Sequence, residues 1–399
     1  MPRATVRSVM WNIAGCPWKM GELQASPAAP EMIHWINRKL RRLTVSGASP
    51  AEVAGVSRVE WKIGGSPLWF ESADARLSNA PDAMACLCFA ASSLAGWRMR
   101  FPDRICPVLG PRLKRIGRIW SRWWQAATDR FETRLRGPAP SVEEGRGTAV
   151  FLSLGVDSFH TLLRTPETGT IVYVAGYDVR LDEKERLERI TESLRDVATR
   201  HGVKLIFLRT NLREHPVLGT LSWDRFHGAA LAAAGHLLAT EISRILISSS
   251  FPKVFFKPWG TSWKTDFLWS SSKLEVVHFG EHLWRLEKLE QIVDEPLVRD
   301  HLRICWEHRN HNLNCGECEK CLRTMLGLAS MGKLEFYPTF PDAGALARGL
   351  RDAPALTTHL LPTYKSFLAR GLPSEVDIAL RGLIGRSKTR IKSNNPKIS

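Results

Sequence analysis

Four cysteines crowd into one short segment, 305–321, of this 399-residue chain, which holds eight cysteines altogether. They are Cys305, Cys315, Cys318 and Cys321. Thiolates at this density are typical of a tetrahedral structural zinc site, and Gly316 permits the tight turn that such knuckles use. An iron–sulfur cluster is an alternative, and His308 or His311 could replace Cys305 as a ligand. The segment predicts a metal centre, with zinc preferred because four cysteines leave no open iron position for sulfur chemistry.

A second candidate site is the stretch FLSLGVDSFHTLL, in which an apolar run ends in a small polar turn before a helical pattern. The N-terminus of a helix attracts anions through its unpaired N–H groups and its dipole. Gly155 would let the backbone approach a phosphate, and Ser153 and Ser158 could donate hydrogen bonds to it. Asp157 could help to hold Mg²⁺ between phosphates. These residues predict a phosphate-binding turn, although an ordinary helix N-cap would also explain Asp157 and Ser158.

The elements around this turn predict an α/β fold, because strand-like apolar runs alternate with helical patterns from residue 148 onward. Strands are predicted at 148–155, 170–178, 203–212 and 244–251, and helices at 157–165, 181–202 and 223–242. This order predicts a doubly wound parallel sheet covered by helices on both faces. Ligands of such sheets bind at the carboxyl ends of the strands, where the turn at 153–158 would lie.

A stretch rich in Pro, Gly and Glu, GPAPSVEEGRG at 137–147, predicts a domain boundary. We expect an N-terminal α+β accessory domain at 1–140, followed at 148–335 by the domain that contains the turn and the cysteine knuckle. A helical extension is expected at 336–380. The last segment, 381–399, contains six basic and no acidic residues, which predicts a disordered tail.

Within the N-terminal part, residues 59–72 predict a β-hairpin and residues 80–101 predict a helix. The segment 111–137 places leucine, isoleucine and tryptophan on one face and arginine largely on the other. Basic residues interleaved with tryptophan could bind nucleic acid or a membrane surface. The alternative is an amphipathic helix that packs its tryptophan face on the domain and leaves its arginines in solvent.

The net charge of +16 and the pI near 9.8 favour a polyanionic partner, whether nucleic acid, nucleotide or acidic lipid headgroup. A proteome that is rich in arginine throughout would produce the same excess of basic over acidic residues. No apolar run approaches the roughly 20 residues that a bilayer-spanning helix requires, and the N-terminus lacks a clear cleavage site. We therefore expect a cytoplasmic protein without a membrane span. Nothing in the sequence indicates its oligomeric state.

The Ser-Leu-Gly-Val-Asp-Ser turn and its strand–turn–helix setting resemble the PP-loop of the N-type ATP pyrophosphatases, whose usual motif is Ser-Gly-Gly-x-Asp-Ser. The downstream Cys…Cys-Gly-x-Cys-x-x-Cys-x-x-Arg pattern is similar to that of the 7-cyano-7-deazaguanine synthase group of this superfamily. The resemblance covers about residues 148–330. It implies an enzyme that cleaves ATP to AMP and pyrophosphate and adenylates a carbonyl or carboxylate oxygen. A nitrogen or sulfur nucleophile then displaces AMP.

The resemblance also implies roles for single residues. The ATP phosphates, with Mg²⁺, would be bound by Ser153, Gly155, Asp157 and Ser158, of which Asp157 and Ser158 are the candidate catalytic residues. The four cysteines would bind zinc beside the active site. This chain departs from the motif at Leu154, which replaces its first glycine. If that position requires a left-handed backbone, a Cβ is costly, and ATP binding could be weakened or abolished.

Weaker candidates lie near the same edge of the sheet. At the end of the second strand, Gly176 would give backbone access to adenosine, and Asp178 could accept from a ribose hydroxyl or simply cap the next helix. The long segment 251–289 carries several aromatic residues together with Lys264 and Asp266. It could stack on a heterocyclic base and read it, or it could be an ordinary packed connection.

Lys320 and Arg323, beside the cysteines, could face ATP or a substrate carboxylate, or could be solvated. The favoured hypothesis is a zinc-containing, ATP-dependent enzyme resembling 7-cyano-7-deazaguanine synthase, with a nitrogen nucleophile. Because making the free base needs no added N-terminal domain, we expect a deazaguanine-related, nucleotide or protein substrate in a specialised pathway such as antiphage defence. The alternatives are a tRNA or base thiolation enzyme, and a non-catalytic protein that binds a nucleotide or a partner.

Overall fold

The computed structural model describes residues 42–137, 147–310 and 312–394. Its strands are β1 (Arg42–Leu43), β2 (Val45–Val53), β3 (Val56–Ile63), β4 (Ser66–Ser72), β5 (Arg98–Ile105), β6 (Phe131–Leu135), β7 (Thr148–Phe151), β8 (Thr168–Ala175), β9 (Lys204–Thr210), β10 (Arg244–Ser248) and β11 (Glu275–Phe279). Its α-helices are α1 (Pro81–Ala95), α2 (Leu109–Trp124), α3 (Val156–Arg164), α4 (Lys184–His201), α5 (Trp223–Leu237), α6 (Arg285–Ile292), α7 (Pro296–His301), α8 (Glu319–Ser330), α9 (Ala343–Asp352), α10 (Leu361–Phe367) and α11 (Ser374–Asn394). Within these described ranges, no helix has the length and apolar character needed to cross a bilayer.

An eight-stranded sheet with the strand order β11-β10-β7-β8-β9-β4-β3-β2 organises the fold. Its first five strands are parallel, with Leu246 paired to Val150 and Val150 paired to Ile171. β4, β3 and β2 continue the sheet in antiparallel fashion, and β4 joins β9 where Phe70 pairs with Thr210. The chain runs outward from β7 to β9 and then returns to β10 on the other side of β7. The strand order therefore reverses between β7 and β10, which is where ligands of such sheets bind.

Alternating residues of the parallel strands face two separate cores. In β7, Ala149 packs into one core and Val150 into the other, and Val172 and Ile171 of β8 divide in the same way. Helices α1 and α5 contribute to the first core, and α3, α4 and α6 contribute to the second. Strands that are covered on both faces must be apolar almost throughout, which is the pattern that predicted them. The expected α/β class, with a parallel sheet, is confirmed.

The described N-terminal residues do not form a body of their own. The hairpin predicted at 59–72 is present as β3 and β4, joined by Gly64 and Gly65, which have positive φ values of 59° and 86°. It extends the main sheet through β4 and so covers the edge of β9, and α1 packs against α5. The described residues belong to one compact unit. Of the separate domain expected at 1–140, residues 1–41 and 138–140 lie outside the described part, so the domain division itself stays a prediction.

Helix α2 covers only the first part of the segment 111–137. It ends at Trp124 because Gln125 adopts a left-handed backbone with φ 57°, and the chain then continues to β6. The buried side chains on its predicted apolar face are Leu113, Ile116 and Trp120. The basic side chains lie mostly on the exposed face. The predicted amphipathic packing of this helix is therefore present, although the helix is shorter.

The basic C-terminal segment is helical as far as the described residues extend, which corrects the disordered tail predicted at 381–399. Leu380 and Leu383 of α11 are fully buried, and α11 packs on α9 and α10. Composition alone suggested disorder because it ignores this three-residue spacing of leucines, which gives the helix an apolar face. Residues 395–399 lie outside the described part. The helices expected at 336–380 are present as α9, α10 and the start of α11.

Candidate functional site

The polar turn that joins β7 to α3 lies beside the point where the strand order reverses. Within it Leu154 has φ 62°, whereas Gly155 has φ −83° and acts as the helix N-cap. The left-handed conformation considered for the Leu154 position is thus observed. It costs a residue with a Cβ about 1–2 kcal/mol, and burial of the leucine side chain in the core offsets this by a similar amount.

Ser158 braces the turn from inside. Its buried hydroxyl accepts hydrogen bonds from the backbone N–H of Gly155 at 3.1 Å and of Ser153 at 3.3 Å, and it donates to the Gly155 carbonyl at 3.0 Å. The hydroxyl of Ser153 lies 3.3 Å from that of Ser158 and is only half-buried. Ser158 therefore holds the shape of the turn, and Ser153 is the better placed of the two for a ligand.

Asp157 lies between two cations that reach it from α6. Arg285 donates to Asp157 Oδ2 through Nε at 3.0 Å and also through Nη2, and Lys288 Nζ lies 3.3 Å from Oδ1. Lys288 is almost completely buried and also donates to the Ser249 carbonyl at 2.6 Å. Burial raises the pKa of Asp157, but Arg285 and Lys288 lower it further, so that the net change is a lowered pKa. The carboxylate is therefore held ionised.

Further cations surround this pair. Burial, and next Arg285, lower the pKa of Lys320 to about 8, and the carboxylates of Asp178 and Asp157 act on it in the opposite direction. Arg323 forms an ion pair with Glu319, with Nε 3.2 Å from Oε1. The residues predicted near the cysteines thus lie in the same electrostatic neighbourhood as the turn. The four cations Arg285, Lys288, Lys320 and Arg323 thus lie near three carboxylates, those of Asp157, Asp178 and Glu319, and the remaining positive charge favours an anionic ligand.

Two residues that follow the carboxyl end of β8 have different roles: Gly176 is required by the backbone packing, whereas Asp178 has an exposed carboxylate. Gly176 has φ 92°, and a Cβ there would lie 2.0 Å from the Thr210 carbonyl oxygen. Glycine is therefore required by the close approach of the neighbouring strand, whether or not a ligand binds. Asp178 is exposed, and its charge contributes to raising the pKa of Lys320 and of the buried Tyr173 hydroxyl, so it lies within electrostatic range of both.

The four cysteines converge at one buried point. Their sulfur atoms all lie within 4.8 Å of one another, with Cys315 Sγ 3.8 Å from Cys321 Sγ and Cys305 Sγ 4.0 Å from Cys318 Sγ. Bonds of about 2.3 Å to one tetrahedral zinc ion place sulfur atoms roughly 3.8 Å apart. The four residues could therefore hold a metal ion such as zinc. A cluster of several irons would hold its ligand sulfurs farther apart.

Backbone geometry and one buried amide shape this cysteine segment. Gly316 has φ 77°, and a Cβ there would lie 2.4 Å from Pro341. Asn314 accepts from the backbone N–H of Ile304 at 2.8 Å and Cys305 at 3.2 Å, and its Nδ2 donates to two carbonyls. The glycine was singled out from sequence. Asn314 was missed, because no local pattern distinguishes it from the other asparagines nearby.

The histidines considered as metal ligands have other positions. His308 Nδ1 lies 3.0 Å from Glu183 Oε2, and its Nε2 lies 3.2 Å from Arg303 Nη2, so both ring nitrogens have partners outside the cysteine cluster. His311 lies outside the described residues. Arg303 also donates its backbone N–H to the Leu154 carbonyl at 2.9 Å. The cysteine segment is therefore directly bonded to the polar turn.

The candidates in the segment 251–289 are engaged elsewhere. Asp266 is fully buried and accepts from the Ser262 N–H at 2.9 Å and from His278 Nδ1 at 2.7 Å, which closes a turn. Lys264 Nζ lies 4.0 Å from the ring centroid of Phe256. Among the contacts of the described residues, neither side chain reaches Asp157. The cations that do so, Arg285 and Lys288, were missed, although three-residue spacing on a helix face was a usable signal.

Comparison of the chain with protein-family models, with curated proteins and with solved structures finds no match. The resemblance inferred from the motif residues is therefore carried by those residues alone and stays an expectation. What the structure provides independently is a polar turn, a charged crevice and a cysteine cluster joined to it by a hydrogen bond from Arg303 to Leu154.

Proposed function

We propose that the protein is an ATP-dependent adenylating enzyme resembling 7-cyano-7-deazaguanine synthase. It would cleave ATP to AMP and pyrophosphate and activate a carboxylate or carbonyl oxygen for attack by a nitrogen nucleophile. The observation that carries the proposal is the position of Asp157, which lies on a helix-N-terminal turn between Arg285 and Lys288 at the carboxyl edge of the parallel sheet. When a phosphate enters such a site, the two cations can exchange their contacts with the Asp157 carboxylate for contacts with the phosphate oxygens.

In the proposed reaction, the acceptor oxygen attacks the α-phosphorus, the bond to the β-phosphate oxygen breaks, and pyrophosphate leaves. Arg285, Lys288 and Lys320 would neutralise the charge that develops on pyrophosphate, and the N–H groups at the start of α3 would bind phosphate oxygens. If phosphate took over the contacts of Arg285, Asp157 would be able to hold Mg²⁺. That ion would neutralise the phosphate oxygens and orient them. Attack by the nitrogen nucleophile then releases AMP.

The cysteine cluster would have a structural part in this proposal. All four positions of a tetrahedral ion are filled by buried thiolates, so a bound zinc would have no open position for substrate. Zinc would fix the segment that contains Arg303 and thereby the Leu154 carbonyl of the turn. The expected location is the cytoplasm, where thiols stay reduced and able to bind metal. The acceptor class, a deazaguanine-related, nucleotide or protein substrate in a pathway such as antiphage defence, is proposed from the resemblance alone.

The test is release of AMP and pyrophosphate from ATP, combined with calorimetric binding of ATP and pyrophosphate, which needs no acceptor. Asp157→Ala is expected to abolish AMP formation. Asp182→Ala, which removes an exposed carboxylate bonded to Arg180, is the matched control and should retain it. A folded, zinc-loaded protein that binds neither ATP nor pyrophosphate would contradict the proposal.

A non-catalytic nucleotide-binding protein is the second candidate, because Leu154 stands in a left-handed position that the motif reserves for glycine. The structure provides an argument against loss of function: the Leu154 side chain is buried in the core rather than in the crevice. The thiolation alternative needs a reactive sulfur. Burial raises the pKa of Cys86 and of Cys88, and Cys106 is also buried, so no described cysteine outside the cluster is suited to carry sulfur.

A further inference from the structure

A surface of aromatic rings and lysines lies next to the crevice, mostly on the loop that follows β10. We call it the cationic aromatic surface and define it by Trp123, Phe255, Phe256, Lys257, Lys264 and Trp284. The side chains of Phe255, Phe256 and Trp284 are 47%, 41% and 46% exposed. A contiguous group of large, exposed apolar side chains commonly marks an interaction site, because the surface of a monomeric protein rarely exposes such a group otherwise.

Two ring contacts, joined by the adjacent residues Phe255 and Phe256, connect the parts of this surface. Phe256 packs on Trp123 of α2 with ring centroids 5.4 Å apart, and Phe255 packs on Trp284 at 5.7 Å. Trp284 directly precedes Arg285, the residue that contacts Asp157. The surface therefore extends from α2 to the edge of the crevice.

Cations lie against these rings rather than apart from them. Lys264 Nζ is 4.0 Å from the Phe256 ring centroid, and Lys257 Nζ is 4.5 Å from the ring centroid of Trp259, which neighbours the defined surface in the same loop. Residues 251–264 contain three lysines and no acidic residue, and α2 contains five basic residues and no acidic residue. Of these lysines, Lys253 is paired with Glu281, with Nζ 2.9 Å from Oε1. Exposed rings would suit any apolar partner, but rings interleaved with cations match a ligand that is both planar and polyanionic.

We propose that this surface binds single-stranded nucleic acid. The lysines and the basic face of α2 would contact phosphates, and the exposed rings of Phe255, Phe256 and Trp284 would stack on successive bases. Duplex DNA offers phosphates but no unstacked bases, so it would contact the basic side chains and leave the aromatic rings without a stacking partner. This binding is separate from the proposed ATP chemistry and does not require it.

The test is fluorescence anisotropy with a labelled single strand of about 16 nucleotides and with an abasic strand of the same length and charge. Wild-type protein is expected to bind the base-bearing strand at least 10-fold more tightly. Combined Phe255→Ala, Phe256→Ala and Trp284→Ala should remove this difference and leave binding of the abasic strand unchanged. Phe336→Ala, which removes an exposed ring elsewhere, is the matched control and should preserve the difference.

The lysines are tested by the salt dependence of binding. Lys257→Ala and Lys264→Ala should weaken binding of both strands and reduce the slope of log affinity against log salt by roughly 0.7 for each phosphate that is no longer neutralised. Lys365→Ala, at an exposed position in α10, should leave the slope unchanged. Equal affinity for both strands, or equal effects of the control variants, would overturn the proposal and leave only the general attraction of a basic chain. Absence of binding by the folded protein would overturn it as well.

Discussion

At the scale of single residues, Asp157 decides the charge balance of the crevice. Arg285 and Lys288 hold its pKa below the ordinary value despite its burial. A carboxyl with a lowered folded pKa stabilises the fold above its unfolded pKa of about 3.9, and this contribution disappears as the pH falls through the folded pKa. The same two cations that fix Asp157 are those that we propose for pyrophosphate.

We predict that Asp157→Asn lowers the free energy of unfolding by about 2 kcal/mol at pH 7, because it leaves the buried Lys288 and the partly exposed Arg285 without their partner. The difference from wild type should shrink as the pH falls from the unfolded pKa of about 3.9 toward the lowered folded pKa, because the unfolded carboxyl binds its proton first. Urea unfolding at several pH values measures this. Pyrophosphate should restore more stability to the variant than to wild type. A loss of stability that is independent of pH would contradict the assigned pairing.

Leu154 allows a second prediction at this scale. Leu154→Gly removes about 1–2 kcal/mol of backbone strain but also deletes a fully buried side chain, which typically costs 2–5 kcal/mol. A net destabilisation of about 2 kcal/mol is expected, without tighter binding of ATP in calorimetry. New ATP turnover in the glycine variant would instead indicate that leucine at this position prevents catalysis in the wild-type protein.

At the scale of elements, the carboxyl end of β8 is fixed by its contact with β9. We predict that Gly176→Ala destabilises the fold by about 3 kcal/mol, because the Cβ would meet the Thr210 carbonyl oxygen and φ is positive. Gly169→Ala is the matched control in the same strand, since a Cβ there has open space and φ is not in the left-handed region. Thermal unfolding of the two variants should differ by several degrees, and similar values would contradict the close approach.

The cysteine segment and the turn are coupled through the Arg303 N–H and the Leu154 carbonyl. If the cluster binds one zinc per chain as we propose, Cys318→Ser is expected to lower the bound metal and to raise hydrogen exchange in the turn at 153–158. Cys88→Ser, at a buried cysteine outside the cluster, should keep the metal and the protection. Metal analysis and exchange mass spectrometry measure both. Unchanged protection of the turn after metal loss would show that the coupling is weak.

At the scale of the whole molecule, the antiparallel strands are part of the main sheet rather than a separate addition. We predict that a chain beginning at residue 147 is insoluble or unfolded, because it exposes the edge of β9 and the core shared by α1 and α5. A chain that ends at residue 394 should fold normally. Expression and circular dichroism of both decide this, and a soluble, cooperatively folding 147–399 chain would restore the two-domain interpretation.

The sequence by itself determined the features that depend on local patterns. Apolar runs bounded by glycine predicted β7 to β10 and the α/β class, and paired glycines predicted the β3–β4 hairpin. The spacing of four cysteines predicted a cluster that could hold metal. The conformational conflict at Leu154 was visible because backbone sterics belong to a residue type and a position in a motif.

Only the tertiary structure decided which distant side chains meet. Arg285 and Lys288 reach Asp157 across more than a hundred residues of chain, and Asn314 organises the cysteine segment through contacts that no local pattern encodes. Lys264 and Asp266 looked equally suited to a site, yet they are used in packing and in closing a turn. The physical reason is that local sequence sets backbone geometry and burial, whereas the order and register of strands set which charges share a crevice.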